Sequence, residues 1–161
     1  MKIYSWNIFF KNGKLGRAFE FIKTLDFDVL CLQEVPEEFL ARLRELPYHV
    51  VSQTEVDRFL PGGKERTLLV ILSKHDIVRH GVFPLEVPHT PLRTRLFVRA
   101  MRPLNWSHIE NRQGLYADIM VEGFPTPVDH ILVSRTLSVV HAGVLRERTG
   151  SDHHPISVEV R

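Results

Sequence analysis

Asp28-Val-Leu-Cys-Leu-Gln-Glu34 is a short apolar run that ends on an amide and an acid. Before it, across residues 14–25, Leu15, Ala18, Phe19, Ile22 and Leu25 recur at spacings of three and four and so share one helical face. A short apolar run directly after an amphipathic helix reads as a buried strand. Residues 2–8 read as another strand, so the chain begins strand, helix, strand. A second helix follows, with Pro36 suited to its first position, Phe39, Leu40, Leu43 and Leu46 as its apolar stripe, and Pro47 as its stop. From Tyr48 the pattern changes to strands, at about 48–54, 67–73, 77–83, 95–102, 113–122, 128–134, 137–145 and 154–160. Asp57 to Lys64 and Pro84 to Pro91 are the longest predicted connections, the kind of loop in which binding residues tend to sit. The fold class that follows is α/β (α+β), with the helices confined to the first quarter, and there is no internal repeat or low-complexity segment.

Composition narrows the class. At 161 residues, 43% hydrophobic and 25% charged, the chain suits one soluble globular domain spanning 1–161 rather than a disordered or fibrous protein. A domain of this length buries roughly 68–70% of its unfolded surface, enough for a core without disulfide or structural zinc. Cys31, the single cysteine, lies in the apolar run and reads as a buried, inert thiol, which favours a reducing compartment. Met1-Lys-Ile-Tyr-Ser-Trp-Asn7 lacks a signal-peptide pattern, and nothing approaches the ~18 consecutive apolar residues of a membrane span, so the expected location is cytoplasmic. The formal charge of +2 permits a polyanionic partner without requiring one. Arg93, Arg95, Arg99 and Arg102 are the nearest thing to a basic concentration, and solvated arginines on an exposed strand explain them equally well.

Four places carry residues suited to chemistry. Asn7 and Glu34 each close a predicted core strand, and ligands gather beyond the carboxyl ends of such strands. A lone strand-end Asn or Glu is more often a loop cap than a ligand. Val128-Asp-His-Ile-Leu-Val-Ser134 opens a strand on Asp129, and Gly150-Ser-Asp-His-His-Pro155 precedes the last apolar strand. Singly, these read as a strand cap and a polar turn. Together they supply the parts of a hard-metal phosphoryl-transfer site: magnesium takes oxygen ligands, often only one or two carboxylates. An imidazole paired with a carboxylate can stabilise charge on a phosphate. A transition-metal site on the His153-His154 pair is the weaker alternative, because spaced partners are lacking.

Ser5-Trp-Asn7, Asp28 to Glu34, Val128 to Ser134 and Ser151-Asp-His-His-Pro155, in that order, resemble four signatures of the endonuclease/exonuclease/phosphatase superfamily. Thr67 to Ser73 and Gln113 to Gly123 fit its interior strands. The resemblance implies an abbreviated four-layer α/β/β/α sandwich of the deoxyribonuclease-I-like type, two mainly antiparallel sheets with helices outside. It implies a Mg2+ or Mn2+ cofactor and a phosphoester substrate, with DNA, RNA, nucleotides, lipids and inositol phosphates all within the superfamily's range; the mild basic balance tilts toward nucleic acid. By resemblance, Glu34 is the principal metal carboxylate and Asn7 orients metal or phosphate. Asp152 lies beside the metal, His153 contacts the scissile phosphate, and Asp129 holds His153.

The resemblance breaks near 123–127. Superfamily members carry an Asn-x-His-Leu-like strand, a helix and a Gly-Asp-x-Asn motif before the strand that holds the equivalent of Asp129. Here Gly123-Phe-Pro-Thr-Pro127 joins the flanking pieces directly, as an internal deletion would. The Asp that usually activates water and the Asn and His that hold phosphate are gone, and nothing in the sequence aims Asp118 or Glu122 at Glu34 as a substitute. Two functions remain open: a metal-dependent phosphoesterase or nuclease, and a non-catalytic remnant that binds phosphate-bearing ligands or serves as an interaction module. Lost strands should also expose edges, for which self-association is one remedy.

Overall fold

The computed structural model describes residues 1–60, 63–81, 115–119 and 126–161. In chain order these hold β1 (Lys2–Asn7), α1 (Leu15–Thr24), β2 (Val29–Pro36), α2 (Glu37–Leu43), β3 (His49–Leu60), β4 (Gly63–Ser73), β5 (Leu115–Ile119), β6 (Thr126–Ile131), β7 (Val139–Val144) and β8 (Ile156–Val160). Six strands form one sheet in the order β3-β4-β2-β1-β8-β7, and β5 and β6 form a separate antiparallel pair. The fold is therefore mixed α/β.

β1 and β2 run parallel through the α1 crossover, in the register Ser5↔Cys31 and Asn7↔Gln33. Both carboxyl ends thus point the same way, which is the prerequisite for Asn7 and Glu34 to meet. β8 pairs antiparallel with β1 and inserts between it and β7, so the two ends of the sequence sit side by side. Trp6, Ile8, Leu30, Leu32, Leu68, Val70 and Leu72 point to one face of the sheet, where Ala18, Phe19 and Ile22 of α1 and Phe39 and Leu43 of α2 close the core over them. Each large aliphatic or Phe side chain among them contributes about 1.5–3 kcal/mol through removal from water. Ile156, Val158 and Val160 of β8 are also buried, but on the other face, opposite Ser5 and Ile3 in the ladder. The β5–β6 pair lies against β1, β7 and β8. Farther along that face Leu69 and Ile71 of β4 remain 42% and 39% exposed. Cys31 is half-buried, and its burial pushes the thiol up from its ordinary pKa, away from nucleophilic behaviour.

Several expectations change. Within the predicted loop from Asp57 to Lys64, residues 57–60 and 63–64 are instead strand, in a ladder that continues through Asp57↔Arg66 and Phe59↔Lys64. Asp57 takes ion pairs from Lys64 at 2.7 Å and Arg66 at 2.9 Å, so charges that looked like loop residues are cross-strand partners. Residues 77–81 of the predicted 77–83 strand are not a strand, and Val78 is 95% exposed. Pro36 precedes α2 as its cap residue, with an extended ψ of 140°, because it still pairs with Thr67 in the β2–β4 ladder. Asp129 does not open its strand: β6 begins at Thr126, and Pro127 is accommodated where the β5–β6 register shifts between Ala117 and Asp118. The predicted strand at 95–102, the Pro84 to Pro91 connection and the four arginines lie outside the described residues. At the apparent deletion, the strands on either side of 120–125 pair directly, with Ile119 opposite Thr126.

Candidate active site

Among the described residues three non-glycine positions have left-handed backbone, Phe9 (φ 62°), Glu34 (φ 52°) and Thr149 (φ 45°), and Gly150 (φ 98°) follows the last of them. Such conformations cost of order 1–3 kcal/mol each and persist only where surroundings hold them. All of them lie just past the carboxyl end of β1, within the end of β2, or in the loop before β8.

At β1, the Asn7 side-chain oxygen accepts from the Phe9 amide at 2.9 Å and turns the chain sharply out of the strand. Asn12 locks the same loop, donating to the Ile8 carbonyl and accepting from the Lys14 amide. At β2, the register shifts between Leu32 and Val35, and this bulge turns Glu34 out of the ladder. Its carboxylate accepts from the Phe10 amide at 3.3 Å, and its own amide donates to the Glu55 carboxylate at 2.9 Å.

The loop before β8 is fastened to β1. Ser151 donates its hydroxyl to the Asn7 carbonyl at 2.6 Å and accepts from the His153 amide at 2.9 Å. The Trp6 indole donates to the His153 carbonyl at 3.3 Å. His153 is thereby carried beside Asn7 although 146 positions later in the chain. Its Nδ1 lies 2.5 Å from Asp129 Oδ2, with both side chains largely buried, and its Nε2 lies 3.8 Å from Asp152 Oδ1. Burial opposes a charged imidazole, but the hydrogen bond to Asp129 and the charges of Asp129, Asp152 and Glu34 outweigh it, and the His153 pKa stands above its ordinary value of 6.5.

Asn7, Glu34, Asp129, Asp152 and His153 thus gather at one end of the sheet. Glu55 is an addition that the sequence did not single out for a site, while Ser151 and Trp6 lie within the quoted signatures but had no role assigned. Nothing in the period of β3 marks Glu55, since only the bulge between Thr54 and Val56 aims it. Among the described residues no three His, Cys, Asp or Glu side chains form a ready metal cage. The residues expected as ligands offer oxygen: the Glu34 carboxylate, the Asn7 amide oxygen, and Asp152, whose Oδ1 is buried without a hydrogen-bond partner. That set suits a hard divalent cation completing its shell with water and substrate oxygens, and gives no sulfur or spaced imidazoles for a softer ion.

Residues 4–113 match the Endonuclease/Exonuclease/phosphatase family, which is more than half of the chain, and the protein belongs to that family. The match takes in Asn7, Glu34 and Glu55 and ends before Asp129, Asp152 and His153. No curated protein and no solved structure matches the chain at a significant level. Membership points to phosphoesterase or nuclease-type chemistry on phosphoester or nucleic acid substrates, in a family whose enzymes generally depend on a divalent metal. No helix among the described residues is long and apolar enough to cross a membrane.

Proposed function

We propose that the chain is a Mg2+- or Mn2+-dependent phosphoesterase, built on an abbreviated deoxyribonuclease-I-like sandwich, in which phosphate recognition has outlasted turnover. The observation that carries this reading is the buried Asp129–His153 pair, 2.5 Å apart, fastened through Ser151 to the carboxyl end of β1 and within the electrostatic reach of Glu34.

In this reading Glu34, Asn7 and Asp152 hold the cation, which when bound supplies charge neutralisation for a phosphate oxygen. Asp129 keeps His153 oriented and favours its charged form. With Nδ1 engaged by Asp129, Nε2 is the atom left to donate to a phosphate oxygen as negative charge develops there. General acid–base assistance is worth about 10²–10⁴-fold, and a single preorganised donor about 10²–10³-fold. A chain without the family's water-activating Asp and phosphate-holding Asn and His should therefore turn over several orders of magnitude more slowly than an intact relative. The non-catalytic alternative is the limit of the same argument, with ligand binding retained and turnover lost.

The test is hydrolysis of bis(4-nitrophenyl) phosphate and of a single-stranded oligonucleotide, with Mg2+ or Mn2+, by wild type, Glu34→Gln and His153→Ala. Slow, metal-dependent release abolished by both substitutions is the expected result. Metal-independent release, or release untouched by both substitutions, rejects the assignment.

A further inference from the structure

β2 and β3 are not neighbours, since β4 lies between them, and adjacent strands at 4.7–4.9 Å put β2 and β3 roughly 10 Å apart. Yet the Glu55 carboxylate of β3 reaches the Glu34 amide of β2 at 2.9 Å. Two bulges make this contact possible. On one flank of β4 the register shifts between Leu32 and Val35; on the other it shifts between Thr54 and Val56. Leu68 of β4 is the partner of both Val35 and Thr54, so the two irregularities meet the same point of β4 from opposite sides. A bulge re-aims a side chain and removes its residue from the ladder. Here one bulge frees an amide and the other supplies its acceptor.

The amide in question belongs to a residue in left-handed backbone, φ 52°, a conformation that a non-glycine residue keeps only under restraint. An ionised acceptor makes roughly twice as strong a hydrogen bond as a neutral one. On the other side of the residue, the Phe10 amide holds the Glu34 carboxylate. Glu34 is thus gripped twice, at its backbone by Glu55 and at its side chain by Phe10.

We propose that Glu55 is a positioning residue for Glu34: its carboxylate holds the Glu34 backbone in the strained turn that presents the Glu34 side chain to a divalent cation. The inference rests on the assignment of Glu34 as a cation ligand. Glu55 acts through Glu34's backbone, and outer partners of this kind typically tune metal affinity by about 10–100-fold.

Mn2+ alone serves as the probe, read by loss of the free-ion electron paramagnetic resonance signal on titration into the full-length chain. Glu55→Ala is expected to weaken Mn2+ binding by about 10–100-fold. Glu55→Gln, which keeps an acceptor of neutral strength, should fall between Glu55→Ala and wild type. Asp57→Asn, on the same strand but engaged with Lys64 and Arg66, should bind Mn2+ as wild type does. Thermal unfolding followed by circular dichroism confirms that each variant is folded, and a Glu55→Ala chain that does not fold leaves Glu55→Gln against Asp57→Asn to decide. Wild-type affinity in folded Glu55→Ala, or in Glu55→Gln where that variant decides, overturns the proposal. So does a Glu55→Gln loss as deep as that of Glu55→Ala. A wild-type chain that binds no Mn2+ overturns instead the assignment of Glu34 itself, and is seen before any variant is made.

Discussion

His153 is where burial and charge oppose each other most openly. Its surroundings penalise the imidazolium through desolvation, yet Asp129 at 2.5 Å tips the balance and raises the pKa above 6.5. A raised folded-state pKa contributes stability that is fully present below the unfolded value and is lost as pH rises through the folded value. Asp129→Asn removes the charged acceptor while keeping the shape, so the His153 pKa should fall, and the stability carried by the pair should fade at lower pH than in wild type. Proton–nitrogen correlation spectra of the imidazole across pH 5 to 9 measure it directly; an unmoved titration would mean that Asp129 does not control His153. The types of these residues were legible in the sequence, because Asp129 in an otherwise apolar run and an Asp-His before the last strand are unusual enough to notice. The pairing was not, since nothing local states that β6 and the loop before β8 come within hydrogen-bond reach.

The loop before β8 shows how an element is built for placement rather than for its own stability. Thr149 and Gly150 make a left-handed turn, and a Cβ added to Gly150 would collide with the Asn12 side-chain oxygen and Lys14 Cβ. Ser151 then ties this turn to β1 by donating to the Asn7 carbonyl, and braces the loop itself by accepting from the His153 amide. Ser151→Ala leaves the part-buried Asn7 carbonyl and the buried His153 amide without that partner, and a buried polar group so stranded costs about 1–3 kcal/mol. Urea denaturation should show that loss with an unchanged slope, and a loss well under that range would mean that neither contact bears load. Element types along the chain were largely readable, as α1 and the buried β2 illustrate, because apolar period and length both spoke for them. Bulges were not: Glu34 and Glu55 leave their ladders at positions where alternation predicts nothing, and the hairpin beyond Thr54 reads as loop because its partners are charges rather than apolar pairs.

At the scale of the molecule, titrating groups of opposite sense bound the pH range of stability. Hydrogen bonds from Lys2 and Lys74 hold Asp26 down to about 2, and those from Arg66 and Lys64 hold Asp57 down to about 2, each against an ordinary 3.8. Depressed carboxylates contribute stability present above 3.8 and lost as pH falls through about 2. His153 works in the other direction on the alkaline side. Melting temperature against pH should therefore decline at both ends, and Asp26→Asn should flatten the acid limb only. Asp26 is solvent-exposed, so the change is expected to be small. An acid limb identical in the variant would assign the decline to other groups.

The sheet order carries a consequence for how such a chain comes into being. Glu34 and Glu55 leave the ribosome long before β8, which fills the place beside β1 and brings His153 with it. Until then the flank of β1 offers an open row of backbone donors and acceptors, and the gathering of Asn7, Glu34, Asp129, Asp152 and His153 does not exist. Contacts of such long sequence separation are slow to form, because the intervening chain must be closed first. The nascent polypeptide therefore carries its reactive groups apart while β1 to β7 are made, and whatever chemistry they support is withheld until β8 docks.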